Sequence, residues 1–489
     1  MVVQGKKQKD LHIAPMLDVS TPEFLNLFRI LSKRAVLWTE MVVDETIIHT
    51  EHLDHHLAYS PELSPIVCQI GGRDAESCSY ATKVAERYGY DEVNLNIDCP
   101  SSRVSGERKF GAILMKDCIA AYSTVEGMCS SVENVPVSVK CRVGIELEDG
   151  EILDTFEHLV GFIGKLMEKG CKKFFIHARK CVIGGLTPAQ NRIVPPLNYP
   201  RVFDLCNHFP DCEFIINGGI SGLAAGKLLC EGSGDPTVMP TSVVNEIMLR
   251  KEIDESMELT TDNTTKLVHS VPCDICNQTN GGCIAAPIRS PDNLNGCMIG
   301  RACMENPAMF ADVDRFWYSE ETNPCENRRE VLEKYCLYLE QTYPRRCCDD
   351  DERKTGRLPA PEVKMYTTGG CSICKEFYGE GEQIGMNESL NTARFVQKEK
   401  IASGAIGRSL KPIRGLFFRL RKGKQFRLEC DRLNKDATIR NCGPGYILRK
   451  VMHTMPDELL DQPFVKTEDL TEEEVPVHVA PVNCRGSCR

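Results

Sequence analysis

Eight short runs rich in Val, Ile, Leu and Phe recur between residues 11 and 301, and polar or glycine residues close each one. They are LHIAPM (11–16), AVLWTEM (35–41), IVCQIGG (66–72), EVNLNID (92–98), VPVSVKCRVG (135–144), KFFIHAR (173–179), EFIINGG (213–219) and GCMIGR (296–301). Such runs read as buried strands. Helical patterns follow most of them, as in DAESCSYATKVAERYG (74–89) and DTFEHLVGFIGKLMEKG (154–170). Parallel neighbours need a crossover, and a helix is the usual one. Eight strand–helix units therefore predict an α/β fold closed into a (β/α)8 barrel of the TIM type. An open doubly wound sheet is the alternative, but no GxGxxG follows the first strand.

At 489 residues the chain is too long for one ordinary core. The barrel is expected over 11–318, with a polar insertion at 233–295 that contains TTDNTTK and CDICNQTNGGC. The segments NRREVLEKYCLYLEQTY (327–343) and IGRSLKPIRGLFFRLRKGKQFRLECDRL (406–433) predict a smaller all-α domain over 326–460. A second insertion at 344–404 interrupts it, and an irregular tail at 461–489 is expected to be flexible. No apolar run reaches about eighteen residues, so no membrane span is expected. The start MVVQGKKQKD lacks the apolar core of a signal peptide, which points to a cytoplasmic protein. There the 26 cysteines stay reduced. CDIC (273–276) and CSIC (371–374) lack a second clean pair at zinc spacing, so no metal is expected.

In such a barrel the functional residues sit at the C-terminal ends of the strands. Those ends read Ala14, Pro15 and Met16; Glu40; Gln69; Asn96 and Cys99; Lys140 and Arg142; His177 and Arg179; Asn217, Gly218 and Gly219; Gly300 and Arg301. Any one of them alone is more often a satisfied strand-end polar group. The whole set on one rim reads as a site. Barrels often bind phosphate at the loops after strands seven and eight, which here read NGG and IGR. Glycine lets backbone N–H groups approach a phosphate, and Arg301 adds a planar cationic fork. Lys140 and His177, on strands five and six, are expected to donate hydrogen bonds to the polar edge of a flavin ring. A lysine there stabilises the negative charge of a reduced flavin.

The motifs APML (14–17), QIGG (69–72), NLNIDCPSSRV (94–104), KFGAILM (109–115), VKCRVG (139–144), IHARK (176–180), NGGI (217–220) and IGRACMENP (299–307) occur together. In these the sequence resembles the tRNA-dihydrouridine synthase family. GGLTPAQNRIVPPLNYPRV (184–202) resembles its A-type branch, which acts on positions 20 and 20a of the tRNA D-loop. The match is close over 11–232 and 296–318 and looser over 405–460. The resemblance implies FMN over the barrel mouth, reduced by NADPH, with hydride passing to C6 of uracil and a proton from Cys99 to C5. It implies that Ala14, Pro15, Met16, Gln69, Lys140, His177, Asn217, Gly218, Gly219, Gly300 and Arg301 hold the cofactor. Asn96, Arg179, Asn191 and Arg192 would then lie toward the target base. The implied partners are tRNA and NADPH, not DNA. Family members usually carry glycine directly before the cysteine; here it is Asp98. A carboxylate turned toward the thiol would raise the thiol pKa and favour the protonated form an acid needs.

Residues 400–428 hold nine Lys or Arg and no Asp or Glu, in a chain of net charge −10. This run is expected to contact phosphates of a folded RNA, with Lys424 and Arg427 near the family's basic positions. A solvated helix face is the rival reading. Two other functions fit parts of the sequence. A small-molecule FMN barrel, such as a dihydroorotate dehydrogenase relative, has no need of the basic segment. A catalytically silent tRNA-binding protein has no need of Cys99, Lys140 and His177 together. The chain has both sets.

Overall fold

The computed structural model describes residues 8–101, 109–232, 290–343, 403–436, 439 and 442–469. Most of the two expected insertions lies outside these residues, and so do the cysteines of CDIC, CSIC and the CRGSC at 484–488. All eight expected strands form: β1 (Asp10–Ile13), β2 (Leu37–Val43), β3 (Ile66–Gly71), β4 (Glu92–Ile97), β5 (Val137–Arg142), β6 (Lys173–His177), β7 (Glu213–Asn217) and β8 (Leu294–Ile299). They pair in parallel in the order β1-β8-β7-β6-β5-β4-β3-β2. A parallel bridge between His12 and Val36 joins the two ends. There the Ile13 N–H donates to the Val36 carbonyl at 3.0 Å, and the Val36 N–H to the Leu11 carbonyl at 2.9 Å. The sheet is therefore a closed barrel.

Alternation along each strand sorts the side chains, because the strand period is two. Val93, Leu95 and Ile97 of β4, Val139 and Cys141 of β5, and Phe174 and Ile176 of β6 join the large core under the helices. The residues between them face the barrel axis: Glu92, Asn94 and Asn96; Ser138, Lys140 and Arg142; Lys173, Phe175 and His177. Ala14, Trp38, Val67, Phe175, Ile215 and Met298 form a separate apolar plug. Trp38 and Phe175 meet edge to face at 4.7 Å, and the Trp38 indole N–H donates to His12 Nδ1 at 3.2 Å.

The covering helices start at side-chain caps that satisfy first-turn N–H groups. These are Thr21 before α1 (Pro22–Leu31), Asp74 before α2 (Ala75–Arg87), Asp117 before α3 (Cys118–Ser131), Thr155 before α4 (Phe156–Glu168) and Asn198 before α5 (Tyr199–His208). The sixth, α6, spans Leu223–Glu231. Among the described residues no helix is long and apolar enough to cross a membrane.

Beyond the barrel come α7 (Arg328–Thr342), α8 (Ser403–Leu410), α9 (Gly423–Lys435) and α10 (Gly443–His453). The single helical stretch expected over 406–433 is broken. Pro412 cannot continue α8, and the chain makes a short 3-10 turn at Pro412–Gly415 before α9. A Cβ at Gly415 would lie 2.5 Å from Pro307 Cδ and 2.6 Å from the Glu305 carbonyl, so this turn packs on the segment after β8. Leu25 and Phe28 of α1, Phe310, Leu332 of α7, Ile413 and Phe417 share one continuous core. Residues 461–469 fall in the stretch expected to be flexible. They are tied down: the Phe464 N–H donates to the Glu326 carbonyl at 2.9 Å, the Thr467 N–H to Asp312 at 2.7 Å, and Arg315 pairs with Glu468 at 2.7 Å.

Candidate active site

β4 ends at Ile97, and the chain leaves the barrel through Asp98, Cys99 and Pro100. The Cys99 N–H donates to Asn96 Oδ1 at 3.0 Å, and the Asp98 N–H reaches the same oxygen at 3.2 Å. The Cys99 carbonyl accepts the Ala112 N–H at 3.0 Å. The cysteine backbone is thus held from both sides. Asn96 is fixed in turn: its amide donates to Gln69 at 2.9 Å, Gln69 donates to Asn94 at 3.0 Å, and Asn94 donates to Ser138 at 2.8 Å. Four axis-facing side chains on three strands therefore fix one turn.

The Cys99 thiol is partly buried, and burial pushes its pKa above the ordinary range. The Ser101 N–H, Arg142 and Lys140 pull it down, and the charge of Asp98 pushes it up. The net direction keeps the proton on sulfur at neutral pH, as a general acid requires.

Asp98 is engaged by three axis-facing residues of β5 and β6. Its carboxylate pairs with Lys140 and accepts from Arg142 Nε at 2.6 Å and from His177 Nδ1 at 3.2 Å. Burial pushes the Asp98 carboxyl up, but Lys140, Arg142 and His177 outweigh it and hold it well below the usual carboxylate range. Burial, reinforced by Arg142, lowers His177 to about 3 against the pull of Asp98. His177 is therefore neutral. An ionised carboxylate only accepts, so the single ring proton sits on Nδ1 and Nε2 carries a lone pair. His177 was expected to donate to a cofactor edge, and its Nδ1 lies 3.2 Å from Asp98 Oδ1.

Arg142 was expected on the rim but assigned no task. Only 2% of its side chain is exposed, and Nη1 donates to the carbonyls of Lys180 at 3.1 Å and Asn191 at 2.9 Å. It ties the Asp98 turn to the loop after β6. The signal for it was the alternation of Ser138, Lys140 and Arg142 along one face of β5.

Arg179 and Asn191, expected near the substrate, turn inward. Arg179 is 5% exposed and donates to the carbonyls of Ile193 and Pro195. Asn191 is 0% exposed; it accepts the Val182 N–H at 2.7 Å and donates to the Val182 carbonyl at 2.8 Å. The cause is the fold of the β6 loop, where Cys181–Val182 pairs with Ile145–Glu146 in a small sheet on the rim. Both side chains satisfy that loop's backbone. Arg192, directly after Asn191, is exposed.

At the far side of the mouth, Asn217 donates to the Met298 carbonyl at 2.9 Å and links β7 to β8. Gly218 and Gly219 have φ of 113° and 66°. A Cβ would lie 2.8 Å from His177 Cδ2 at the first and 2.4 Å from Leu197 Cδ1 at the second, so only glycine fits this turn. Ala14 is buried where β1 meets β8, with its N–H on the Ile299 carbonyl at 2.9 Å, and Pro15 and Met16 continue half-buried along the rim. Gly300 follows β8, and the exposed Arg301 donates to the Arg192 carbonyl at 3.1 Å. Lys424 and Arg427 are exposed on α9, away from the barrel strands. Among the described residues no ion pair involves them or the exposed Arg421 and Lys422, whereas Arg414 is paired with Asp431. Lys411 donates to the Asp18 carbonyl at 2.6 Å, which joins the basic segment to the loop after β1.

A family model described as dihydrouridine synthase (Dus) matches residues 12–243. A tRNA-dihydrouridine(20/20a) synthase of Pasteurella multocida is 32% identical over 329 residues, covering 67% of this chain and 79% of that protein. One of Escherichia coli K12 is 43% identical over 216 residues, covering 44% of this chain and 60% of that protein. A solved structure of morphinone reductase with tetrahydroNAD aligns at a TM-score of 0.33 and 10% identity, over 64% of this chain and 87% of that one. The family model's span runs through β1 to β7 and the Cys99 turn, and with 32% identity over 79% of the Pasteurella multocida protein the chain belongs to the dihydrouridine synthase family.

Proposed function

We propose that this protein is a tRNA-dihydrouridine(20/20a) synthase that reduces the C5–C6 bond of a D-loop uridine, using FMN and NADPH. The observation that supports this most is the Cys99 turn: a protonated thiol on a backbone pinned by Asn96 and Ala112, at the mouth of a closed barrel next to Lys140. The donor set suits a flavin phosphate and ring. Gly218 and Gly219 form a turn that a Cβ would fill, and Arg301 is exposed at the end of β8. FMN, when bound, supplies the hydride for C6.

The chain's own residues do the rest. Gly218, Gly219, Gly300 and Arg301 hold the phosphate. Ala14, Pro15, Met16, Gln69 and Asn217 line the cofactor, and Lys140 donates to its polar edge. Cys99 gives its proton to C5 of the uracil, and Asn96 holds the backbone turn that presents the thiol for that transfer. Arg192 faces the substrate. The uridine leaves its stack to reach the mouth, as enzymes acting on single bases require. The helical region over 326–460 binds tRNA, with Lys424 and Arg427 on phosphates. The four exposed cations at 421–427 favour this over a small-molecule oxidoreductase.

The purified protein is expected to be yellow, with one FMN per chain held without a covalent bond. Arg301→Ala is expected to lower flavin retention more than Lys424→Ala does. A colourless protein that takes up no FMN overturns the reading, and equal flavin content in the two variants overturns the phosphate placement. Mapping dihydrouridine in tRNA from cells lacking the protein tests the substrate.

A further inference from the structure

We propose that Asp98 is a positioning residue that sets the charge and hydrogen-bond polarity of the cofactor edge, by neutralising one of the two cations on β5 and locking His177 as its Nδ1–H tautomer. This deepens the flavin reading above and rests on it. Three axis-facing side chains converge on the one carboxylate: Lys140 and Arg142 from β5 and His177 from β6. The Asp98 side chain is 15% exposed, so solvent screens these contacts little.

Two consequences follow for the mouth. Lys140 and Arg142 bring two positive charges to one strand end, and Asp98 leaves the group with one. A reduced flavin carries negative charge, so each cation at its edge raises its tendency to accept electrons. The carboxylate therefore makes a flavin held by Lys140 a stronger reductant than the two cations alone would. With its Nδ1 proton on Asp98, His177 presents Nε2 to its surroundings as an acceptor. The same carboxylate also keeps Lys140 and Arg142 in place. Arg142 in turn holds the loop after β6 through Lys180 and Asn191.

The test uses the full chain loaded with FMN, equilibrated against a reference dye of known potential. Asp98→Asn keeps the shape and removes the charge. It is expected to shift the reduced-to-oxidised flavin ratio at fixed dye poise at least tenfold toward reduced. For a two-electron couple that equals about 30 mV upward. Asp98→Glu keeps the charge and is expected to stay near the parent value. A flavin potential unchanged in Asp98→Asn overturns the proposal. A second measurement needs neither flavin nor an altered Asp98. In flavin-free protein with 15N-labelled histidine, the His177 resonances, assigned by their loss in His177→Gln, are expected to show a proton on Nδ1 and none on Nε2 at neutral pH. A proton on Nε2 overturns the proposal even if Asp98→Asn does not fold. A protein that binds no FMN sinks the flavin reading, and the ring tautomer still decides whether Asp98 holds His177.

Discussion

Asp98, the residue before Cys99, carries the negative charge of this mouth and pairs with Lys140 and Arg142. Its neighbour Cys99 keeps its proton mainly because burial disfavours the thiolate, with the Asp98 charge as a smaller aid. Replacing the thiol removes a proton source along with some packing against the core. Cys99→Ala is expected to stay yellow and to be reduced by NADPH as before. Oxidation of its reduced flavin by tRNA is expected to slow by roughly two to four orders of magnitude, the usual range for a lost general acid. A single-turnover rate equal to that of the parent would make Cys99 a packing residue. The buried histidines make a separate prediction. His177 is lowered to about 3, and burial lowers His12 well below its ordinary value. Both are neutral in the folded chain and titrate near 6.5 when unfolded. As pH falls below about 6.5, the unfolded chain binds protons that the folded chain refuses, so stability present at pH 7 is lost. Asp98 acts in the same direction at lower pH, since its folded value is depressed. Between pH 7 and pH 5 His177 is expected to cost about 2 kcal/mol, with His12 adding in the same direction, read from urea midpoints of the flavin-free protein. A midpoint that does not move would show that these rings take up protons without unfolding.

Among the elements, α9 and the turn before it carry the most testable content. Lys424 and Arg427 are one turn apart on an exposed face. If they contact phosphates, the double variant Lys424→Ala, Arg427→Ala is expected to flatten the slope of log tRNA affinity against log salt by roughly one to two units. Flavin reduction by NADPH should be unaltered. An unchanged slope would make this run a solvated face. The turn itself is held by close approach. Gly415→Val would drive a side chain into Pro307 and the Glu305 carbonyl, at a cost of roughly 1–3 kcal/mol. Gly407 on α8 has open space at its Cβ position, so Gly407→Ala is expected to raise the melting temperature slightly. Equal melting shifts in the two variants would mean that the junction after β8 does not depend on Gly415.

At the scale of the whole molecule, barrel and helical region are welded rather than tethered. Phe28 and Phe310 on the barrel side meet Ile413 and Phe417 in one core, and Tyr343 donates to Glu23 of α1 at 2.5 Å. Residues 461–469 then strap the junction through Asp312 and Arg315. Removing everything after residue 325 is expected to uncover this apolar face, lower the melting temperature and raise binding of a hydrophobic dye. An excised barrel with unchanged melting and no dye binding would mean that the shared core adds nothing to barrel stability. The sequence by itself determined the eight strands, their parallel pairing and the strand ends that share one rim. These depend on a local period of two and on crossovers of limited reach. Lys140, His177 and Cys99 could be picked out because they sit at strand ends in that pattern. The break at Pro412 was missed in a stretch read as one helix, although the ring cannot continue a helix. Only the tertiary structure decided how those side chains are used. Asp98 takes the donor of His177, Arg142 reaches across to the β6 loop, and Arg179 and Asn191 turn inward. Each choice depends on carbonyls and charges brought within 3–4 Å by distant segments, and no local periodicity encodes which partner a side chain meets there.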